Sequence, residues 1–165
     1  MWSAILLVGI STFQSEPLPA SFLGSWQGVM VWTSAGSKEP KKVPMQLRIA
    51  KTRFKRTYDY HLVYGDKGQD SRPYELKLVD AGKDHWQIDE KNGIVLDAYL
   101  LGDSLKSVFS VGGNQIVTNI TPENGKLISE MVTFEEAVFN TSKTAGVKTF
   151  RIKSTQRAVL TRKKA

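Results

Sequence analysis

The feature that most constrains the fold of this chain is an alternation of apolar and polar residues with a period of two. Within residues 43–50, for example, Met45, Leu47 and Ile49 would lie on one face of an extended chain, opposite polar neighbours. Successive side chains of a β-strand point to opposite faces, so this period predicts a half-buried strand. No window of useful length shows the period of an amphipathic helix.

Segments of this kind recur at short intervals, with turn residues between them. We predict strands over 26–33, 43–50, 57–64, 74–80, 85–89, 94–101, 105–111, 115–120, 127–134, 147–154 and 156–162. Most connections are short, and Asn92-Gly93 is a pair favoured in tight hairpins. The pattern predicts an all-β, antiparallel up-and-down β-barrel of about ten strands, because closure removes exposed sheet edges. An open two-sheet sandwich is the alternative.

Length and cysteine content limit the classes of site. The 165 residues fit one domain, and there is no stretch of about 18 apolar residues that a membrane-spanning helix requires. The chain has no cysteine and only two histidines, which argues against thiol catalysis and against a transition-metal site. No phosphate loop, nucleophile elbow or paired carboxylates stand out, so we expect no metal, no cofactor and no catalytic residue.

The N-terminal residues form a separate segment. Residues 2–10 are apolar, and small residues follow them, which favours a signal peptide over 1–15 and an extracytoplasmic location. Pro17 and Pro19 indicate an extended linker over 16–22, followed by a single barrel domain over 23–165. The alternative is an ordinary N-terminal segment that packs on the domain.

Positive charge is concentrated near both ends of the folded region. The formal net charge is +7, with eight basic residues and one acid in 38–57 and eight basic residues without an acid after Glu136. If the sheet closes, the first and last strands become neighbours and the two basic blocks lie along one seam. Such a seam suits an acidic surface or an anionic lipid. Nucleic acid is a poorer match, because Phe54 and Phe150 are the only obvious stacking residues there.

The first and last predicted strands carry a family resemblance. Gly24-Ser25-Trp26 opens the domain, and residues 155–162 close it with Arg157 and Arg162. The arrangement resembles lipocalin-like barrels of the calycin superfamily, and the strand number is closer to fatty-acid-binding and nitrobindin-like members. The resemblance implies that the Trp26 indole plugs one end of the barrel and that Arg157 or Arg162 lies over it.

The ligand residues of those families are not carried over. Fatty-acid-binding barrels hold a carboxylate with an Arg-x-Tyr in the last strand, where this chain has Val159. Nitrobindin-like barrels ligate haem through a histidine late in the chain, whereas His61 and His85 lie in the middle.

A face rich in aromatic residues is the candidate ligand site. It comprises Trp32, Tyr58, Tyr60, Tyr64 and Tyr74. Tyrosines give a pocket an apolar wall with a hydrogen-bonding tip. The alternative is that these side chains simply fill the interior.

Three polar residues have weaker claims to a role. His61 alternates with the aromatic face and should point outward beside Asp59, while His85 adjoins a turn and has a structural role. Glu130 would anchor a ligand only if its side chain points inward. The two faces of the strand predicted over 127–134 are almost equally apolar, so the sequence leaves the direction of this side chain open.

The sequence therefore predicts a non-enzymatic binding or carrier protein for a small hydrophobic molecule. A filled-barrel interaction or envelope protein that uses its basic seam is the alternative. A barrel enzyme would need inward polar groups that the sequence does not demonstrate.

Overall fold

The computed structural model describes residues 17–163 and contains ten β-strands. The signal peptide predicted for 1–15 lies outside these residues. In chain order the strands are β1 Gly24–Ser34, β2 Lys41–Lys51, β3 Thr57–Tyr64, β4 Asp70–Asp80, β5 His85–Asp89, β6 Val95–Leu101, β7 Ser104–Val111, β8 Asn114–Glu123, β9 Lys126–Thr141 and β10 Lys148–Arg162. A short 3-10 turn, Ala81–Lys83, joins β4 to β5.

Each strand pairs antiparallel with the next, and β10 returns to pair with β1, which closes the barrel. The closing ladder runs from Trp26 opposite Arg162 to Ser34 opposite Ser154. The prediction of an all-β up-and-down barrel is therefore confirmed, and the open sandwich is excluded by the β1–β10 pairing. No helix among residues 17–163 has the length and apolar character needed to span a bilayer.

Two local predictions differ from the structure. Asn92-Gly93 does not form a two-residue hairpin, because the Asp89 and Asn92 side chains accept backbone hydrogen bonds and shape a longer loop. A tight turn occurs instead at Asn124-Gly125, where both residues have positive φ, as a type I′ turn requires. The segments 147–154 and 156–162 are one strand, β10, which bends at irregularities in its pairing with β9.

One end of the barrel is plugged by residues that precede β1. Leu18 and Phe22 are 0% exposed and belong to the hydrophobic core, so residues 17–22 pack on the barrel although we expected an extended linker there. We call this the plugged end. The opposite end, where β1 finishes and β2 begins, we call the open end.

Candidate ligand-binding site

The floor of the site is built around the indole of Trp26. Its Nε1 donates a 3.0 Å hydrogen bond to the Phe22 carbonyl, and the guanidinium of Arg162 lies 4.4 Å from its ring centroid. Arg162 also donates to the carbonyl of Leu23 at 2.9 Å. Gly24 has a φ of +135°, and a Cβ there would collide with the Arg162 guanidinium, which accounts for glycine at this position.

Arg157, the other arginine proposed to lie over Trp26, does not do so. Arg157 and Glu130 are opposite one another on β10 and β9, on the outer surface of the barrel. The Arg157 Nε donates to Glu130 Oε1 at 3.3 Å. Glu130 is therefore not an inward anchor for a ligand.

Burial of the inward side chains changes along the barrel axis. Strand pairing identifies these side chains, because directly opposed residues share a face. In the plugged half most are fully buried, as at Leu47, Ile49, Leu76, Trp86, Leu105, Leu127 and Leu160, while Leu78 and Leu100 are half-buried. In the open half many are only half-buried, as at Leu62, Tyr64, Tyr74, Leu96, Phe109, Ile116, Thr118, Met131 and Gln156, although Met45 and Ser154 are buried there.

This difference means that solvent reaches the interior from the open end. We call the open half, whose inward face is largely apolar and aromatic, the cup, and the plugged half is a packed core beneath it.

The structure divides the five aromatic residues of the candidate site between floor and wall. Tyr58 and Tyr60 are buried, and Tyr58 packs against Trp86 with the ring centroids 6.0 Å apart. Tyr64 and Tyr74 are half-buried in the wall. Trp32 lies at the rim, 37% exposed, with the Lys41 ammonium 5.8 Å from its ring centroid.

An arginine that the sequence reasoning missed lies among these tyrosines. Arg72 is opposite Leu62 on the inward face, with its guanidinium 5.1 Å from the Tyr64 ring centroid. It donates two hydrogen bonds to Asp70, at 2.8 and 2.6 Å. The sequence did contain a sign of this position, because the period-two alternation of residues 70–78 puts Arg72 on the same face as Tyr74. However, Pro73 has no N–H to donate to a sheet ladder and therefore suggested a strand end.

The three tyrosines of this cluster keep their protons well above neutral pH. Burial raises the pKa of Tyr60, with a smaller contribution from Tyr64 and Tyr74. Burial also raises the pKa of Tyr64, against the opposing effect of Arg72. For Tyr74, burial and then the nearby Glu90 carboxylate raise the pKa. The hydroxyls therefore stay protonated and able to donate, and that of Tyr74 already lies within hydrogen-bond reach of Glu90 and Arg72.

The ion pair beside these tyrosines is already satisfied. The hydrogen bond from Arg72 lowers the pKa of Asp70, so that this carboxylate is charged at neutral pH. Because the guanidinium makes two bonds to one carboxylate, its charge is largely compensated within the protein. The cup thus offers neutral hydroxyls more readily than a free cation.

Both histidines lie on the outer surface of the barrel. His61 Nε2 is 2.8 Å from the Ser71 hydroxyl, and Asp59 pairs with Arg48 at 3.6 Å. His85 Nε2 is 2.7 Å from Asp97 Oδ1, and the imidazole ring of His85 stacks on the Tyr99 ring. Among residues 17–163 no group of three or more His, Asp or Glu side chains is placed to hold a metal ion.

A recess of about 750 Å³ lies at the plugged end, where the inward-facing Tyr58, Leu78 and Trp86 form part of its lining. The turn between β2 and β3 lines one side of it with Arg53, Lys55 and Arg56, and Asp84 lies on the other. Its wall mixes these charged side chains with apolar and aromatic ones, including Phe54 and Pro17. The sequence did not predict it, because the turns that form it are far apart in the chain.

The basic residues do not form one continuous seam. The structure places β1 between β2 and β10, so the two basic blocks lie on either side of it. Lys51, Arg53, Lys55 and Arg56 gather at the plugged end, whereas Lys41, Lys42, Lys148, Arg151 and Lys153 gather at the open end. Two separate basic regions result.

The fold and the site define a closed ten-stranded antiparallel β-barrel with one plugged end and one open end, compatible with a calycin-like barrel. A comparison with protein-family models and a search of curated proteins gave no match to this chain.

Proposed function

We propose that this chain is a non-enzymatic binding or carrier protein that holds a small hydrophobic molecule in the open half of the barrel. The observation that carries the proposal is the half-buried state of the inward apolar side chains there, such as Leu62, Leu96 and Met131. Apolar surface left open to water inside a concave wall is stabilised when a ligand covers it. The resemblance to lipocalin-like barrels of the calycin superfamily supports the same proposal.

The polar groups of the wall favour a ligand with one neutral polar group, such as a hydroxyl or a carbonyl. The hydroxyls of Tyr64 and Tyr74 supply hydrogen-bond partners beside the apolar wall. A carboxylate would have to compete with Asp70 for Arg72 and would lie near the charge of Glu90. Like charges at close range in a partly desolvated site disfavour such a ligand.

The neutral fluorescent dye Nile red tests whether the cup binds apolar molecules. We expect saturable binding to the full chain and, for Leu62→Glu, a dissociation constant at least about tenfold higher, because the new carboxylate faces the apolar wall. The matched control is Val63→Glu, which lies next in the chain but faces outward opposite Ser71. The control should change the dissociation constant less than about twofold.

Thermal unfolding of both variants shows whether either is misfolded. Phe150→Ser, on the outer surface, checks that the dye is not bound outside the barrel. Absence of saturable binding, or an equal loss in the two glutamate variants, would show that the cup is not the binding site.

The preferred head group can be tested with two competitors that share one alkyl chain. Dodecanol and dodecanoate are each titrated against the Nile red complex at neutral pH. We expect dodecanol to displace the dye at the lower concentration, because dodecanoate meets Asp70 and Glu90. A lower displacing concentration for dodecanoate would contradict the neutral head group but not the binding role.

A further inference from the structure

Strands β9 and β10 extend beyond the rest of the barrel at the open end. Pairing of β9 with β8 stops at Glu135, and pairing of β10 with β1 stops at Ser154. Residues 137–152 therefore form a two-stranded extension in which each strand has only the other as a ladder partner, and we call it the ribbon. Two-stranded hairpins are at best marginally stable alone in water, so a surface that covers the ribbon would stabilise it.

The outward face of the ribbon continues an apolar area on the barrel wall. Phe150 is opposite Val138, Ile152 is opposite Phe134, and the Phe134 and Phe150 rings are 5.7 Å apart. On the wall below, Val132, Val117 and Val108 follow as directly opposed residues on β9, β8 and β7. We call these seven residues the outer apolar patch: Val108, Val117, Val132, Phe134, Val138, Phe150 and Ile152.

Four of the seven residues of the outer apolar patch are exposed to solvent. Val108 is 65% exposed and Ile152 is 56% exposed, and Phe150 and Val138 are also exposed. Single exposed apolar residues are ordinary, but a contiguous area of this kind marks a docking site.

Uncompensated positive charge surrounds the patch. Lys143, Lys148 and Lys153 make no ion pair with any residue in the described range 17–163, and Arg151 reaches Glu135 only at 3.9 Å. The ribbon itself contains no carboxylate, and the nearest acids in the chain, Glu135 and Glu136, precede it on β9. The turn between β1 and β2 and the start of β2 add three lysines, Lys38, Lys41 and Lys42, and one acid, Glu39. The Ala35 amide at the beginning of this turn donates to the Lys153 carbonyl at 2.7 Å.

We propose that the outer apolar patch and the lysines around it dock on the surface of an anionic lipid bilayer. Aromatic and aliphatic side chains enter the boundary between head groups and acyl chains, and flanking lysines attract anionic head groups. A second copy of this chain is a poor occupant, because it would bring the same uncompensated cations to the contact. The proposal does not depend on ligand binding inside the barrel.

Co-sedimentation of the full chain with lipid vesicles tests the proposal. We expect binding to vesicles of phosphatidylcholine with about one-third phosphatidylglycerol to exceed binding to pure phosphatidylcholine by at least about tenfold, and to weaken as salt is raised. The double variant Phe150→Ser/Ile152→Ser removes apolar contacts and should weaken binding about tenfold. Lys148→Glu/Lys153→Glu should weaken it at least as much and reduce its salt dependence.

Matched controls come from elsewhere on the surface of the same barrel. Val79→Ser/Val95→Ser removes two comparably exposed apolar side chains on β4 and β6, and Lys67→Glu/Lys83→Glu reverses two lysines away from the ribbon. Both control proteins should bind the anionic vesicles as the parent chain does, and thermal unfolding should show all variants folded.

Three results would overturn the proposal: equal binding to neutral and anionic vesicles, equal losses in the control variants, or no vesicle binding at all. If light scattering instead showed a dimer that Phe150→Ser/Ile152→Ser converts to a monomer, a second copy would cover the patch. The Nile red titration of the same variants reports on the cup separately, so failure of one proposal is distinguishable from failure of the other.

Discussion

The substitution Trp26→Ala is expected to lower the free energy of unfolding by about 3–5 kcal/mol. The indole is 2% exposed and is covered by Arg162 on one side, so its removal leaves a cavity that the closed sheet cannot collapse to fill. The change also leaves the Phe22 carbonyl without its indole donor and removes a cation–π contact. Urea denaturation followed by circular dichroism measures the loss.

The matched control for this prediction is Trp32→Ala. Trp32 lies on the same inward face of the same strand but at the open rim, where it is partly exposed. We expect this change to cost about 1–2 kcal/mol, clearly less than Trp26→Ala, because the rim side chain keeps 37% of its surface in water and its removal leaves no closed cavity. A loss below about 1 kcal/mol for Trp26→Ala would contradict its role as the floor of the barrel.

The period-two pattern was sufficient to predict the class of fold, because strand periodicity and turn residues are local properties. Residues 57–64, predicted as a strand, coincide with β3. Closure of the sheet followed from a general argument about exposed edges, and the β1–β10 pairing confirms it. The irregularities that make β10 one bent strand could not be predicted, because they arise from its pairing with β9.

Less of the candidate site could be predicted from the sequence. Alternation placed Tyr60, Tyr64 and Tyr74 on one face, as the structure does, but burial along the barrel axis depends on which residues plug an end. Arg72 was missed because a strand was predicted only from Tyr74 onward, whereas β4 begins at Asp70 and its pairing with β3 runs through Pro73 without a shift. The choice between Arg157 and Arg162 depended on register: Arg162 is opposite Trp26, whereas Arg157 is opposite Val31 on the outward face.

The period-two pattern also failed to predict the part of β9 that lies in the ribbon. We predicted a strand over 127–134, but β9 continues to Thr141. Residues 135–141 contain two acids, an asparagine and a threonine and read as the approach to a loop. These residues are extended because they pair with β10, so the conformation of this segment depends on its partner strand.

The role of residues 17–22 leads to the second large prediction, for Phe22→Ala. Phe22 is 0% exposed, and its carbonyl accepts the hydrogen bond from Trp26. Because the phenyl ring belongs to the barrel core, we expect the change to lower the free energy of unfolding by about 3–5 kcal/mol. If 16–22 were instead an extended linker, the same change would cost less than about 0.5 kcal/mol.

Denaturant unfolding of the full chain measures this loss. Phe54→Ala is the matched control, because Phe54 is an exposed phenylalanine in the turn between β2 and β3 at the same end of the barrel. The control should stay within about 0.5 kcal/mol of the parent chain. Equal small losses for Phe22→Ala and Phe54→Ala would mean that the segment before β1 does not plug the barrel. A large loss for Phe22→Ala alone would make residues 17–22 part of the folding unit, since only a buried side chain can have that effect.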